Sequence, residues 1–341
     1  MRCHEVVPSP PVLPRSPDAV VNLLHLKLFH HFETCTRQTL LFTREAWGRA
    51  LQLCFEYEFL MNAILCVSAR HLAAVKPEDP KYAAVAASHL CKALAQFRYE
   101  LSNNFTSTDI DAFVAMSMLL QFEIWTNTDS LRDGTFDPSR ECFFSHSASL
   151  KQVFLKALPL ILNHPSVFLP HLQQNPMVKL VEAAQISNST LAKYQDFFSS
   201  DHQLNAELLQ PPAFTRGTDL ANVWEHGRSQ MDGFAPIINH ICLILSFLPE
   251  AEPDAVTPLL PQLASYIVSF PVLCRGFFAL KVHQSNPHAL LLLYHFYRAV
   301  RILLPPDECW WAQKRATTSE TILKEWLIRE SVRQSASLNP D

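Results

Sequence analysis

Fifteen histidines and nine cysteines are the residues of this 341-residue chain that would first suggest a metal site or a nucleophile. Their spacing argues against both. His30 and His31 are neighbours, so on a regular helix their side chains diverge by about 100° and do not face one ion. His288 and His295 share a helix face, but no carboxylate stands at ligand spacing from them. Cys3, Cys35, Cys54, Cys66, Cys91, Cys142, Cys242, Cys274 and Cys309 contain no C-x-x-C pair. Most fall within apolar helical stretches, where a small thiol packs as a hydrophobe. Their odd number and scatter fit reduced thiols in an intracellular protein. Asp109 and Asp111 are two apart, do not face each other on a helix, and read as helix-start residues. G-x-S-x-G, an aspartate-rich metal motif and a glycine-rich phosphate loop are all missing from the sequence. The chain is therefore expected to have no catalytic residues, no metal and no cofactor.

Trp310-Trp311 is the conspicuous aromatic pair, and it has two readings. One is an anchor from surface to core after a helix. The other is a wall of an apolar ligand pocket, built with Phe277, Phe278, Leu291 and Tyr294. Such a pocket would suit a sterol-like or other lipophilic molecule. Spacing does not separate the two.

These residues would have to be positioned by helices. Hydrophobic residues make up 48% of the chain, enough for a large core, yet only 6 residues are glycine. Average usage, about 7%, would give roughly four times as many. Hairpin turns favour glycine, so a β-rich fold is not expected, and the 24 prolines punctuate helices instead. Net charge is −4, from 28 basic and 32 acidic residues, with no concentrated basic face of the kind that grips nucleic acid.

Phe59–Val75 is apolar around most of its circumference and is the expected central helix. Asn62, Ser68 and Arg70 keep its uninterrupted apolar run far below the roughly 18 residues of a membrane span. Around it the periodicity predicts helices over Asp18–Thr34, Glu45–Phe55 with Trp47, Leu51 and Phe55 in line, Tyr82–Ser102 with Ala83, Ala87, Leu90, Leu94, Phe97 and Leu101 on one face, and Ile110–Trp125 behind a capping box at Thr108–Asp111. Further helices are predicted over Cys142–Leu162, Met177–Gln185, Pro236–Leu248, Pro258–Ser269, Val272–Val282 and His288–Leu304, the last with Tyr294, Arg298 and Arg301 outward. A second capping box, Thr317–Glu320, would open a final helix with Ile322, Leu323, Trp326 and Leu327 buried. Residues 1–17 read as a flexible proline-rich lead-in without a secretory signal, residues 18–335 as one all-α antiparallel array, and residues 199–219 as a mobile connection within it.

Two blocks carry a family resemblance. The first holds Leu23-Leu24-His25, His30-His31-Phe32, Thr39-Leu40, Trp47, Phe59–Leu65, Ser68–Ala73, Tyr82, Ala86, His89, Ala93-Leu94 and Phe97-Arg98. The second holds Asn286–Leu290, Tyr294, Trp310-Trp311 and the terminal helix. Together they resemble the regulatory region of fungal zinc-cluster transcription factors, sterol uptake control regulators in particular, over most of residues 20–330, with 126–235 matching poorly. The resemblance implies a nuclear, all-helical region that dimerises, responds to effectors and activates transcription, with sterol or secondary metabolism genes as targets. It also implies a homodimer, or a heterodimer with a zinc-cluster factor, and in some members a sterol in an apolar pocket. Two departures stand out. Only Cys3 precedes Cys35 and no basic segment accompanies it, so direct sequence-specific DNA binding is not expected of this chain. No glycine follows shortly after Trp310-Trp311, where the family often has one.

Overall fold

The computed structural model describes residues 22–103, 106, 109–128, 131, 137, 143–163, 166–173, 175–198, 204, 206–210, 234–248, 257–274 and 277–338. The expected lead-in, the Thr108 end of the first capping box, Cys142 and most of the 199–219 connection lie outside them. Among the described residues the fold is all-α, with no β-strand.

The helices are α1 (Leu23–Thr34), α2 (Arg44–Leu53), α3 (Glu58–Val75), α4 (Lys81–Ser102), α5 (Ile110–Thr126), α6 (Phe143–Leu162), α7 (Leu169–Gln173), α8 (Pro176–Ala184), α9 (Asn188–Phe197), α10 (Ala235–Leu245), α11 (Leu260–Val268), α12 (Phe270–Leu273), α13 (Phe277–His283), α14 (Pro287–Leu303) and α15 (Trp310–Leu338). Short 3-10 turns stand at Thr36–Gln38, Ala206–Leu209 and Thr257–Leu259.

α3 is the hub: it packs along α4 as a hairpin and also touches α1, α2, α5 and α15. Its polar positions are not solvent-facing breaks. Ser68 Oγ donates to the Leu28 carbonyl of α1 at 2.6 Å, and Asn62 Oδ1 lies 2.8 Å from His89 Nδ1 of α4. Arg70 reaches Glu123 of α5, with Nε 2.9 Å from Oε2. These polar groups are satisfied across helix contacts, as burial requires. Among the described residues α3 is the one unbroken helix long and apolar enough to cross a bilayer, but 67% of it is buried inside the protein. Such burial is that of a core helix.

A second hairpin, α14 with α15, closes the far side. Arg315 of α15 is buried, donates through Nε to the Trp125 carbonyl at the end of α5, and sits 4.4 Å from the Phe143 ring centre. A cation at a helix C-terminus satisfies carbonyls that the helix leaves open. The main hydrophobic core runs from Phe32 through to Leu327.

Several sequence expectations need correction. α1 starts after Asn22, whose Oδ1 accepts from the Leu24 and His25 amides, and the expected start at Asp18 lies outside the described residues. α2 ends at Leu53, which leaves Phe55 beyond the helix and 73% exposed. On α4 the buried face is Tyr82, Ala86, His89, Ala93 and Phe97, while Ala83 and Ala87 face out. On this face His89 meets Asn62 and packs edge-on against the His25 ring at 4.8 Å. Asp109 precedes α5 without capping it; its carboxylate accepts instead from Tyr57 Oη at 2.6 Å and from the Thr106 amide and hydroxyl. Tyr294 is buried rather than outward. α15 runs unbroken from Trp310, so Thr317–Glu320 lies inside it and opens nothing. Trp326 is only partly buried. Residues 272–282 divide between α12 and α13.

Candidate functional site

The tandem tryptophans start α15, and adjacent helix positions diverge by about 100°. They therefore serve two different neighbourhoods. Trp310 stacks on His71 of α3 with ring centres 4.7 Å apart, and its Nε1 donates to Thr39 Oγ1 at 2.8 Å. Trp311 turns the other way and meets the edges of Phe122 and Trp125 at 5.5 and 5.4 Å.

Thr39 begins the loop Thr39–Phe42 between the first 3-10 turn and α2. Two indoles pin this loop: Trp310 at Thr39, and Trp47, whose Nε1 donates to the Leu41 carbonyl at 3.0 Å. Phe42 takes φ 92°, a conformation that L side chains rarely adopt. Its ring packs edge-on against Trp47 and His171. Such strain persists only where surrounding contacts over-determine it, and it concentrates at functional sites.

Between this loop, α7, α8, α11 and the start of α15 lies a cavity of about 770 Å³. Leu40, Ala264, Cys309 and Trp311 form its buried floor. Gln38, Asn175, Lys179, Pro261 and Glu308 stand exposed at its rim. Two of the lining residues carry a polar atom that is buried without a hydrogen-bond partner: Trp311 at Nε1, a donor, and Gln262 at Oε1, an acceptor. Trp311 as a whole is only 1% exposed.

Acid–base and nucleophilic chemistry have little to work with here. Burial, with the Glu308 carboxylate nearby, pushes the Cys309 thiol up to about 12, so it is not a thiolate at neutral pH. Desolvation lowers His171, which lines the cavity, and its Nε2 lies 3.2 Å from Thr43 Oγ1. Behind the loop, burial and the neighbouring His31 bring His71 down to about 4, which keeps it neutral beside Thr36 Oγ1 at 3.0 Å. Elsewhere, His295 is fully buried with Nε2 2.7 Å from the Leu208 carbonyl. Among the described residues no group of three or more histidine, cysteine, aspartate or glutamate side chains is placed to hold a metal.

Of the six residues singled out from the sequence, Trp311 alone lines this cavity. Trp310 lies behind the loop it pins. Phe278 packs edge-on to Phe144 and Phe234, while Phe277 is 45% exposed with Lys281 Nζ 5.3 Å over its ring. Leu291 and Tyr294 are buried in α14. The six are thus not brought to one concave surface. Gln262 and Phe42 were missed. A glutamine inside the apolar run Leu259–Leu263 was a usable signal for the first. Nothing in sequence marks a phenylalanine for positive φ, where glycine or asparagine is the usual occupant.

Comparison with known proteins adds the family. A family model described as the fungal specific transcription factor domain matches residues 27–184. The match runs from within α1 to the end of α8, includes part of the stretch 126–235 where the resemblance read from sequence is poor, and stops short of the block that begins at Asn286. The chain is 34% identical over 115 residues to sterol uptake control protein 2 of Saccharomyces cerevisiae, covering 31% of this chain and 12% of that protein. It is 29% identical over 109 residues to a Zn(2)-C6 fungal-type transcription factor of Gibberella zeae, covering 30% of this chain and 22% of that protein. Both matches therefore span only a small part of the relatives' own length. Residues 27–184, which include the loop Thr39–Phe42 and the first eight helices from Lys27 on, are thus similar to the fungal specific transcription factor domain, consistent with the regulatory region of a fungal transcription factor.

Proposed function

We propose that this chain is the effector-responsive regulatory part of a transcription regulator, acting on sterol or secondary metabolism genes through a protein partner, either a second copy or a zinc-cluster factor. The observation that carries this reading is the family match over residues 27–184, overlaid by the resemblance to a sterol uptake control protein. The chemistry agrees with it. The buried thiols are protonated, the buried histidines are neutral, and no set of converging acids and bases faces the cavity. A protein of this kind works in the nucleus and changes transcript levels, not metabolites directly. Contacts to DNA would come from outside residues 1–341, whose net charge is −4 with no concentrated basic segment.

The cavity favours a second reading: a helical binder of a lipophilic metabolite with no part in transcription. The two separate in one experiment. The gene is deleted in its host, and transcripts of sterol and secondary metabolism genes are compared with the parent. The regulatory reading expects a defined subset to change and to return on complementation. Unchanged transcripts beside an altered lipid pool would leave the binder.

A further inference from the structure

α1 is held to the fold by little apolar burial, since Leu28 and Phe32 are its two buried side chains. Phe32 enters the main core against Trp47, ring centres 6.0 Å apart. Leu28 enters a separate small core with Leu65, Cys66, Ala69 and Leu72 of α3 and Tyr82 and Ala86 of α4. A segment with so few buried contacts is drawn from the low-stability end of a structure. Its two ends are seated on imidazoles. Near the start His25 meets His89 of α4, ring centres 4.8 Å apart, and near the end His31 meets His71 of α3 at 5.0 Å. His71 and His89 are buried, and their hydrogen bonds go to neutral groups, Thr36 Oγ1 and Asn62 Oδ1. His31 Nε2 is buried without a hydrogen-bond partner, so a charged ring there would hold an N–H with no acceptor.

The charges around the two pairs are mostly of one sign. Lys27 and His30 of α1 and Lys76 just past α3 bear on His31, and Lys92 of α4 bears on His89. The first 3-10 turn adds Arg37, while Trp310 of α15, stacked on His71, adds no charge. The acids of this neighbourhood are engaged or exposed: Asp79 pairs with Lys81, Glu123 with Arg70, and Glu33 stands exposed on α1. Among the described residues none of the four imidazoles pairs with a carboxylate. We propose that α1 is a proton-sensitive latch: neutral imidazole pairs seat both of its ends, and their protonation in mild acid repels it from α3 and α4 while the main core stays folded. Release uncovers the apolar floor Leu65, Ala69, Leu72 and Ala86. It also takes His31 away from His71, the ring on which Trp310 stacks while holding Thr39 of the cavity loop. The latch needs no role in transcription and is tested apart from it.

Burial holds His71 and His89 down to about 4 in the closed state, from an ordinary value of 6.5. The open state therefore takes up protons first, so closure is fully favoured above pH 6.5 and loses ground as pH falls towards 4. Between pH 7.5 and pH 5.5, each imidazole that regains its ordinary value favours opening by about tenfold, and both together by about a hundredfold. Hydrogen–deuterium exchange of the purified full chain at these two pH values, read by mass spectrometry and corrected for the intrinsic pH dependence of exchange, measures this opening. Peptides of α1 should be less protected than those of α14 at both pH values, and their protection should fall by about tenfold or more from pH 7.5 to pH 5.5. Glutamine keeps a polar side chain that does not titrate. In the double variant His71→Gln with His89→Gln the fall should shrink by about fivefold or more, and in each single variant by about twofold or more. The single variants keep the test decisive if the double fails to fold. Protection of α1 equal to that of α14 at both pH values would show that α1 opens only with the whole fold, and would overturn the latch. So would a smaller fall in the wild type, or folded variants whose α1 protection falls as steeply as the wild type's.

Discussion

Arg70→Ala should be among the most damaging single changes in the family-matched region. Arg70 of α3 and Glu123 of α5 form a forked pair, Nε lying 3.1 Å from Oε1 and 2.9 Å from Oε2, with Nη2 2.5 Å from Oε1. The arginine side chain is 16% exposed and the glutamate 5%, which puts the pair near the dry end of the scale. Glu123 Oε2 also accepts from Thr126 Oγ1 at 3.3 Å and lies 3.6 Å from Cys66 Sγ. Neither neighbour carries a positive charge, so the truncation strands a buried carboxylate. Breaking a buried pair in this way costs about 3–5 kcal/mol, against about 5–15 kcal/mol for a whole domain. The doubly apolar variant Arg70→Met with Glu123→Leu fills the same volume and buries no charge, so it should lie within about 1 kcal/mol of wild type. Urea unfolding at pH 7 of wild type, Arg70→Met, Glu123→Leu and the double closes the cycle, with Arg70→Ala measured beside them. A loss below about 1 kcal/mol for Arg70→Ala is the value of an exposed surface pair and would refute the burial argument. So would a double variant as unstable as the single.

Acid should weaken the fold before most carboxylates titrate. Burial holds His71, His89 and His295 down to about 4 and His240 down to about 3, from an ordinary value of 6.5. The unfolded chain then takes up these protons first, so the stabilisation is complete above pH 6.5 and is lost as pH falls towards 4. The urea midpoint should drop between pH 7.5 and pH 5, and an unchanged midpoint would count against these histidines being buried and neutral. Trp47 and Phe55 make a contrasting pair. Trp47→Ala removes a fully buried ring bonded to Leu41 and should cost about 3–5 kcal/mol, whereas Phe55→Ser, at a residue 73% exposed, should stay within about 0.5 kcal/mol. Thermal denaturation of both reads the difference, and similar losses would contradict the corrected end of α2.

The helices were legible because their apolar period and proline breaks are local signals. α3 is the clearest case: its apolar circumference marked it as central, and it is the hub. Its polar residues were harder to read, because Asn62, Ser68 and Arg70 meet partners 27, 40 and 53 positions away in the chain. On α4 the same distance effect hid the partner of His89, which is Asn62, 27 positions away. The cavity was largely illegible. Its walls come from four separate stretches of chain. Trp311 was picked from sequence for being aromatic and next to another tryptophan. Of its partners in that choice, Phe278, Leu291 and Tyr294 are buried in α13 and α14 and Phe277 is half-exposed under Lys281.

The claim that the chain regulates transcription is tested most directly by tethering. The chain is fused to a heterologous DNA-binding module, and a reporter carrying that module's sites is measured in a fungal cell. The account predicts reporter output different from that of the module alone. A folded, nuclear fusion with output equal to the module alone would contradict it.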